Sequence, residues 1–284
     1  MYGPGDHNPL SPARTGRTAT DIAASKGERR LAMLTAYDYP TALALDGCGL
    51  DLILVGDSLG EVELGFPSTR DVSVEMMCHH IRAVAHGATR THIVGDMPAD
   101  SYRTPEEAVA TAMRLVEAGA DSVKLEGAMV PEVLAIIDAG IPVMGHVGLL
   151  PQTHEERRRR GKTPEEAEAI NADAIALAEA GCYAIVIEAV DPEVSGRITA
   201  AVGVPTIGIA AGAETDGQVL VSTDLIGQLP EPPRFVTPKA NVFQTVIDAG
   251  VAFQNKLIRS QTECGFFRRR HTPFAPNMDV AFGH

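Results

Sequence analysis

The sequence predicts an α/β fold, a (β/α)8 TIM barrel, and three observations carry that prediction. The chain has 284 residues, close to the roughly 250 of one α/β barrel and enough for a single large core. Short β-rich runs recur along it, with helical patterns between most of them. Several of those helical patterns also start and stop in the same way.

The runs are Leu31–Ala36, Asp51–Val55, Thr91–Val94, Ser122–Leu125, Ile141–Met144, Tyr183–Ile187, Val204–Ile209 and, weakest, Arg234–Thr237. Each of the first seven is a mainly apolar run of four to seven residues, as suits parallel strands buried on both faces. Thr104-Pro105-Glu106-Glu107 and Thr163-Pro164-Glu165-Glu166 each supply an N-cap, a proline at the first helical position and a glutamate that completes a capping box. Helices end before strands at Glu117-Ala118-Gly119, Asp138-Ala139-Gly140 and Glu179-Ala180-Gly181, where glycine permits the left-handed turn that stops a helix. Repeated strand, helix, glycine, strand describes βαβ units. Seven or eight such units favour a closed barrel over an open sheet. A dinucleotide fold would also show GxGxxG after its first strand, and Ala36-Tyr37-Asp38-Tyr39-Pro40 has none.

The barrel is expected over residues 28–261. Residues 1–27, polar and rich in Gly, Pro, Arg and Thr, read as a flexible extension. Residues 262–284, with Phe266-Phe267-Arg268-Arg269-Arg270, read as a disordered tail or a subunit contact. Lys and Arg number 24 against 37 Asp and Glu, a net charge of −13 that disfavours nucleic acid. Cys48, Cys78, Cys182 and Cys264 are scattered, without metal-finger spacing, which points to a reducing cytoplasm. Neither a secretory h-region nor a membrane-length apolar run is found, so a soluble cytoplasmic protein is expected.

Barrels work at the C-terminal ends of their strands. There the sequence places Asp57 after the second run, Asp96 after the third, Lys124 and Glu126 at the fourth, His146 at the fifth and Glu188 at the sixth. One Asp after a strand is usually a helix cap. Five consecutive strands delivering ionisable groups to one mouth mean pairing or metal binding, because such groups at low dielectric otherwise cost free energy. Three carboxylates without cysteine favour Mg²⁺ or another hard divalent cation. His146 reads as a ligand or as a hydrogen-bonding group of the pocket wall. Lys124 and Glu126 are two apart and face the same side of a strand; Lys124 reads as a charge for a substrate carboxylate or enolate, or as a plain ion pair with Asp96 or Glu126.

Thr35-Ala36-Tyr37-Asp38-Tyr39, Val55-Gly56-Asp57-Ser58-Leu59-Gly60, Asp96-Met97-Pro98, Val123-Lys124-Leu125-Glu126-Gly127 and Gly145-His146-Val147-Gly148-Leu149 together resemble the successive motifs of ketopantoate hydroxymethyltransferase. So do Gly208-Ile209-Ala210-Ala211-Gly212 and Thr215-Asp216-Gly217-Gln218. The resemblance runs from about Leu31 to Leu229. It implies transfer of a hydroxymethyl group from 5,10-methylenetetrahydrofolate to 3-methyl-2-oxobutanoate, giving 2-dehydropantoate for pantothenate, in a barrel of the phosphoenolpyruvate mutase and isocitrate lyase superfamily. It further implies that Asp57, Asp96 and Glu126 surround the metal, that Ser58 and Lys124 hold the substrate with Asp57 and Asp96, that Glu188 is the acid/base, and that His146 lines the pocket. Lys124 would share in catalysis by stabilising the enolate charge. Family members form large homo-oligomers, so a homo-oligomer is expected.

Two departures bear on specificity. Leu150 stands where the family has threonine, before the run Thr153-His154-Glu155-Glu156-Arg157-Arg158-Arg159-Arg160-Gly161-Lys162, and Ala210 stands where the family commonly has glycine. The arginines read as a solvated loop countered by Glu155 and Glu156, or as a clamp for an acidic substrate or folate glutamates. These departures keep open a paralogue that hydroxymethylates, or runs an aldol reaction on, a different 2-oxo acid, with folate or formaldehyde as donor. His79, His80 and His86 read as surface or interface residues.

Overall fold

The computed structural model describes residues 16–263. Residues 1–15, Cys264 and the Phe266–Arg270 run lie outside the described residues. In chain order the first half comprises α1 (Ala19–Ala23), β1 (Leu31–Thr35), α2 (Tyr39–Asp46), β2 (Leu52–Val55), α3 (Leu59–Val62), α4 (Val74–Gly87), β3 (His92–Asp96), α5 (Pro105–Glu117) and β4 (Ser122–Lys124). The second comprises α6 (Val130–Asp138), β5 (Val143–Gly148), α7 (Pro164–Glu179), β6 (Ala184–Glu188), α8 (Pro192–Ala201), β7 (Thr206–Ile209), β8 (Gly217–Leu220), α9 (Ser222–Leu225) and α10 (Val242–Glu263). The chain divides into two compact units, Met1–Ala240 and Asn241–His284. The barrel lies in the first and α10 in the second. No described helix is long and apolar enough to cross a membrane.

Eight parallel strands close in chain order, with β1 paired to both β2 and β8. The alternation of a strand explains the two cores. On β2, Leu52 and Leu54 face the barrel interior with Met33, Val94, Met144, Val186, Ile207 and Val219. Ile53 and Val55 face outward onto Met77, Ile81, Leu115, Ile136, Leu177 and Ile198 of the surrounding helices. The two expected capping threonines do cap: Thr104 Oγ1 accepts from Glu107 N and Thr163 Oγ1 from Glu166 N.

The N-terminal end of the barrel is closed by the segment before β1. Thr18 caps α1, Ile22 is fully buried in the interior cluster, and the Arg17 carbonyl lies 2.9 Å from His92 Nδ1. Beneath the apolar layers His92 Nε2 and Tyr183 Oη each lie 2.9 Å from Ser122 Oγ, so these buried polar groups are satisfied together.

The eighth strand differs from the sequence expectation. It is Gly217–Leu220, not Arg234–Thr237, which lies outside every strand. A parallel crossover ordinarily needs a dozen or more residues and a helix, and residues 210–216 supply neither. They return directly along β7. Gly208 allows this, since a Cβ there would stand 2.7 Å from Thr215 Oγ1. The Thr215–Gln218 motif therefore serves the fold at the strand starts, where Asp216 Oδ2 accepts from Thr206 N at 2.9 Å and from Lys26 Nζ at 2.8 Å.

Asp46, at the end of α2, ties that helix to the start of β3. Its Oδ1 accepts from Thr91 N (2.8 Å), Thr91 Oγ1 (2.8 Å) and Arg90 N (3.0 Å), and its Oδ2 from Arg90 Nε (3.2 Å). Burial pushes the carboxyl up, but the bonds from Thr91 and Arg90 outweigh it and hold the group down at about 2. Because the folded value lies below the unfolded one, this stability is present above about pH 4 and is lost as pH falls toward about 2. Asp46→Ala should cost about 2–3 kcal/mol at neutral pH. Urea melts should show the gap to the parent protein closing as pH falls through that window; a pH-independent gap would refute the assignment.

Candidate active site

The polar residues expected at strands two to six meet at the C-terminal mouth, in strand order. Asp57 follows β2, and its backbone N–H donates to Asp96 Oδ2 at 3.2 Å. Asp96 and Lys124 are register partners at the ends of β3 and β4. The Lys124 ammonium lies 2.8 Å from Asp96 Oδ1 and 3.4 Å from His146 Nδ1. His146 Nε2 in turn lies 3.4 Å from Glu188 Oε2, and Glu126 Oε1 stands 3.7 Å from His146 Nδ1. Ser58 Oγ is 2.9 Å from Tyr37 Oη. These groups, Tyr37 apart, line a cavity of about 740 Å³, together with Ala210, Arg157 and Phe235.

Charge is unbalanced here. Four carboxylates (Asp57, Asp96, Glu126 and Glu188) face one ammonium. Burial and the neighbouring Asp96 charge push the Asp57 carboxyl up to about 8, against the pull of Lys124 and Gln152. Burial also raises Glu126, with Lys124 opposing and Asp57 adding. For Lys124 burial works against the charge, yet Asp96, Glu126 and Asp57 outweigh it and raise the amine. Burial, then the Lys124 charge, lowers the His146 imidazole, against Glu188. His146 is therefore neutral at neutral pH. An ammonium can only donate, so His146 Nδ1 accepts and its proton sits on Nε2, toward Glu188. Glu188 is the carboxylate with the most open side chain, 25% exposed against 2–3% for Glu126 and Asp96.

Whether this set fits a cation can be asked of its oxygens. Asp96 Oδ1 is buried without an aligned hydrogen bond, although Lys124 Nζ is close enough for charge contact. Among the described residues no group of three or more His, Cys, Asp or Glu side chains converges tightly enough to form a closed metal cage. A hard cation that retains waters does not need one: Mg²⁺ is usually held by one or two carboxylates, with water and substrate completing its shell. The excess negative charge and the oxygen donors fit such an ion.

Two residues not singled out in the sequence complete the site. Gln152, in the loop after β5, bonds to both Asp57 and Glu126, and Tyr102 Oη donates to Gln152 Oε1. Their only signal was a buried amide and a phenol in loops, residue types with many ordinary uses. The arginine run is not countered by Glu155. Arg157 pairs with Glu61 (Nη1–Oε2, 3.0 Å), and Arg158 with Glu166 (2.9 Å) and more loosely with Glu156 (3.6 Å). Arg160 N donates to the Ala189 carbonyl at 2.7 Å, which fastens the loop beside Glu188. Gly148, at φ +100°, is needed there, because a Cβ would stand 2.4 Å from the Glu188 carbonyl. Cys78 and Cys182 are buried and Cys48 is exposed, all outside the cavity lining.

A sequence profile described as ketopantoate hydroxymethyltransferase matches residues 17–261. The chain is 48% identical over 238 residues to 3-methyl-2-oxobutanoate hydroxymethyltransferase of Ignicoccus hospitalis, covering 82% of this chain and 90% of that one. It is 50% identical over 232 residues to the protein so named in Moorella thermoacetica, covering 79% and 86%. Among solved structures, phosphonopyruvate hydrolase in complex with oxalate and Mg²⁺ aligns with TM-score 0.56 at 14% identity, over 88% of both chains. The 2,3-dimethylmalate lyase of the phosphoenolpyruvate mutase and isocitrate lyase superfamily aligns with TM-score 0.54 at 15% identity, over 90% of this chain and 92% of that one. At such identities these two speak for the fold.

Backbone strain gathers at the same rim. Ala189 (φ +48°) follows Glu188, and Ala210 (φ +51°) follows β7 where a glycine would be at ease. Ala210→Gly should stabilise the protein by about 1 kcal/mol in denaturant melts, since a left-handed alanine is strained. A loss of stability would show that its methyl packing outweighs the strain.

Proposed function

The chain belongs to the ketopantoate hydroxymethyltransferase family, and from that premise we propose that it transfers a hydroxymethyl group from 5,10-methylenetetrahydrofolate to 3-methyl-2-oxobutanoate. The product would be 2-dehydropantoate, on the route to pantothenate. One observation carries the reading: four carboxylates at the barrel mouth share a single lysine. That arrangement calls for a dication, and Asp57, Asp96 and Glu126 would surround Mg²⁺, one or two of them as direct ligands with water and substrate completing its shell. When bound, the ion would polarise the 2-oxo group and acidify the neighbouring C–H.

The chain's own groups then divide the work. Lys124, held charged by Asp96, faces the negative charge that grows on the oxo oxygen and stabilises it. Ser58 and Lys124 receive the substrate carboxylate and oxo group. Glu188, open to the cavity, takes the β-proton and later returns one. His146 Nε2, 3.4 Å away, faces that carboxylate without an aligned hydrogen bond and would orient it once the two draw together. A cavity of about 740 Å³ far exceeds a five-carbon acid and leaves space for a second, larger substrate. Arg159 lines its rim and has no ion-pair partner among the described residues; it would meet the carboxylates of the folate tail.

Leu150 does not line the cavity, whereas Ala210 does. The departures that could alter substrate choice are therefore the loop that brings Arg157, Arg158 and Arg159 to the cavity and the Ala210 methyl, and they favour, as a second reading, a 2-oxo acid with a different side chain.

Within its own unit, helix α10 leaves Phe243, Val246, Ile247, Val251, Phe253 and Leu257 each at least 42% open. This supports the expected homo-oligomer, because large apolar patches usually mark association. Light scattering should give a mass of several chains, lowered by Phe253→Asp; a monomeric parent protein would refute it.

The activity is tested by mass spectrometry of 3-methyl-2-oxobutanoate incubated with Mg²⁺, the folate donor and the protein. 2-Dehydropantoate should form, a chelator should abolish it, and Glu188→Gln should lower kcat by about 10²–10⁴-fold. Arg159→Ala should raise the KM of the donor alone. A folded protein that makes no product under these conditions would overturn the proposal, and product from another 2-oxo acid alone would select the second reading.

A further inference from the structure

Gln152 is 6% exposed, and its side-chain amide and backbone N–H are engaged around the carboxylates of the mouth. Its side-chain Nε2 donates to Asp57 Oδ2 at 2.8 Å and to the Met97 carbonyl at 2.9 Å. Its backbone N–H donates to Glu126 Oε2 at 3.0 Å. Its Oε1 accepts from Tyr102 Oη. The orientation of the amide follows from Met97, whose carbonyl can only accept. The amide nitrogen faces it, the amide oxygen therefore faces Tyr102, and the Tyr102 hydroxyl, which accepts the Glu126 N–H at 3.4 Å, donates to that oxygen. Both hydrogens of the amide are thereby directed at Asp57 and Met97.

We propose that Gln152 is a positioning residue for the cation site. A carboxylate has two oxygens, and rotation about its last bond exchanges them. Gln152 occupies Oδ2 of Asp57 with its side chain and Oε2 of Glu126 with its backbone. The oxygens left to face a cation and substrate are therefore Oδ1 and Oε1. One residue in the loop after β5 thus fixes carboxylates from the ends of β2 and β4, with Tyr102, in the loop after β3, locking its amide. This inference rests on the metal reading given above.

The test is Mn²⁺ binding in the absence of substrate, followed by electron paramagnetic resonance, on the full chain, Gln152→Leu and Tyr102→Phe. Leucine keeps most of the volume and removes the donor. Gln152→Leu should bind Mn²⁺ about 10–100-fold more weakly, as is usual when a partner of a metal ligand is lost. Tyr102→Phe, which frees the amide to turn, should show a smaller loss in the same direction, and it carries the test if the leucine variant does not fold. A purely structural role would lower the melting temperature and leave the Kd of the folded protein unchanged. Parental Mn²⁺ affinity in the folded variants would overturn the proposal while leaving the metal reading intact. A parent protein that binds no Mn²⁺ would overturn both.

Discussion

Four carboxylates gathered round one lysine in a poorly solvated mouth repel one another unless further positive charge is brought to them. Two unit charges 4 Å apart interact by about 4 kcal/mol at an effective dielectric of 20, so each like pair near that distance is expensive. The pairing of Lys124 with Asp96 relieves part of this. The upward displacement of Asp57 and Glu126 records their burial first and the remaining repulsion second. A hard divalent cation removes the remainder, and a 2-oxo acid brought to that cation meets the lysine and Glu188 already in place.

The rest of the molecule holds that unfavourable arrangement together. Alternating side chains fill the barrel with Leu52, Met33, Met144 and Ile207 and leave its mouth open. The other end is stoppered by Ile22. Each charged residue stands at or just beyond the end of a strand paired to both neighbours, so its position is set by the barrel. Gln152 and Gly148 bring the loop after β5 against that ring, and the backbone pairing of Arg160 with Ala189 closes it beside Glu188. Strain at Ala189 and Ala210 collects beside the site, where close approach of loops outweighs local comfort.

Much of this was legible in the sequence, because the features concerned are short-range or periodic. Seven strands showed as apolar runs, and the N-caps at Thr104 and Thr163 form as their spacing predicts, although Glu107 accepts from Arg103 N and Glu166 from Gly161 N and Lys162 N instead of closing the expected boxes. The convergence of Asp57, Asp96, Lys124, Glu126, His146 and Glu188 follows from strand order once a barrel is assumed. The eighth strand was not legible. Gly217-Gln218-Val219-Leu220 is brief, opens on glycine, and follows a connection too short for the usual crossover rule; only the closeness of Thr215 to Gly208 makes it possible. Gln152 and Tyr102 were missed for a different reason. Their roles lie in which oxygen each hydrogen bond occupies, and nothing in a linear sequence reports that. The counter-charges of the arginine run, Glu61 and Glu166, were likewise fixed by tertiary placement.

The most direct test of the central claim leaves out the one-carbon donor. The protein is incubated with Mg²⁺ and 3-methyl-2-oxobutanoate in D2O, and the β-proton signal is followed by NMR. If the mouth is built to enolise a 2-oxo acid, the signal decays only when the metal is present, and the decay slows sharply in Glu188→Gln. A signal that persists while the folded protein holds both metal and acid would contradict the account, because the charges at the mouth would then serve something other than removal of that proton.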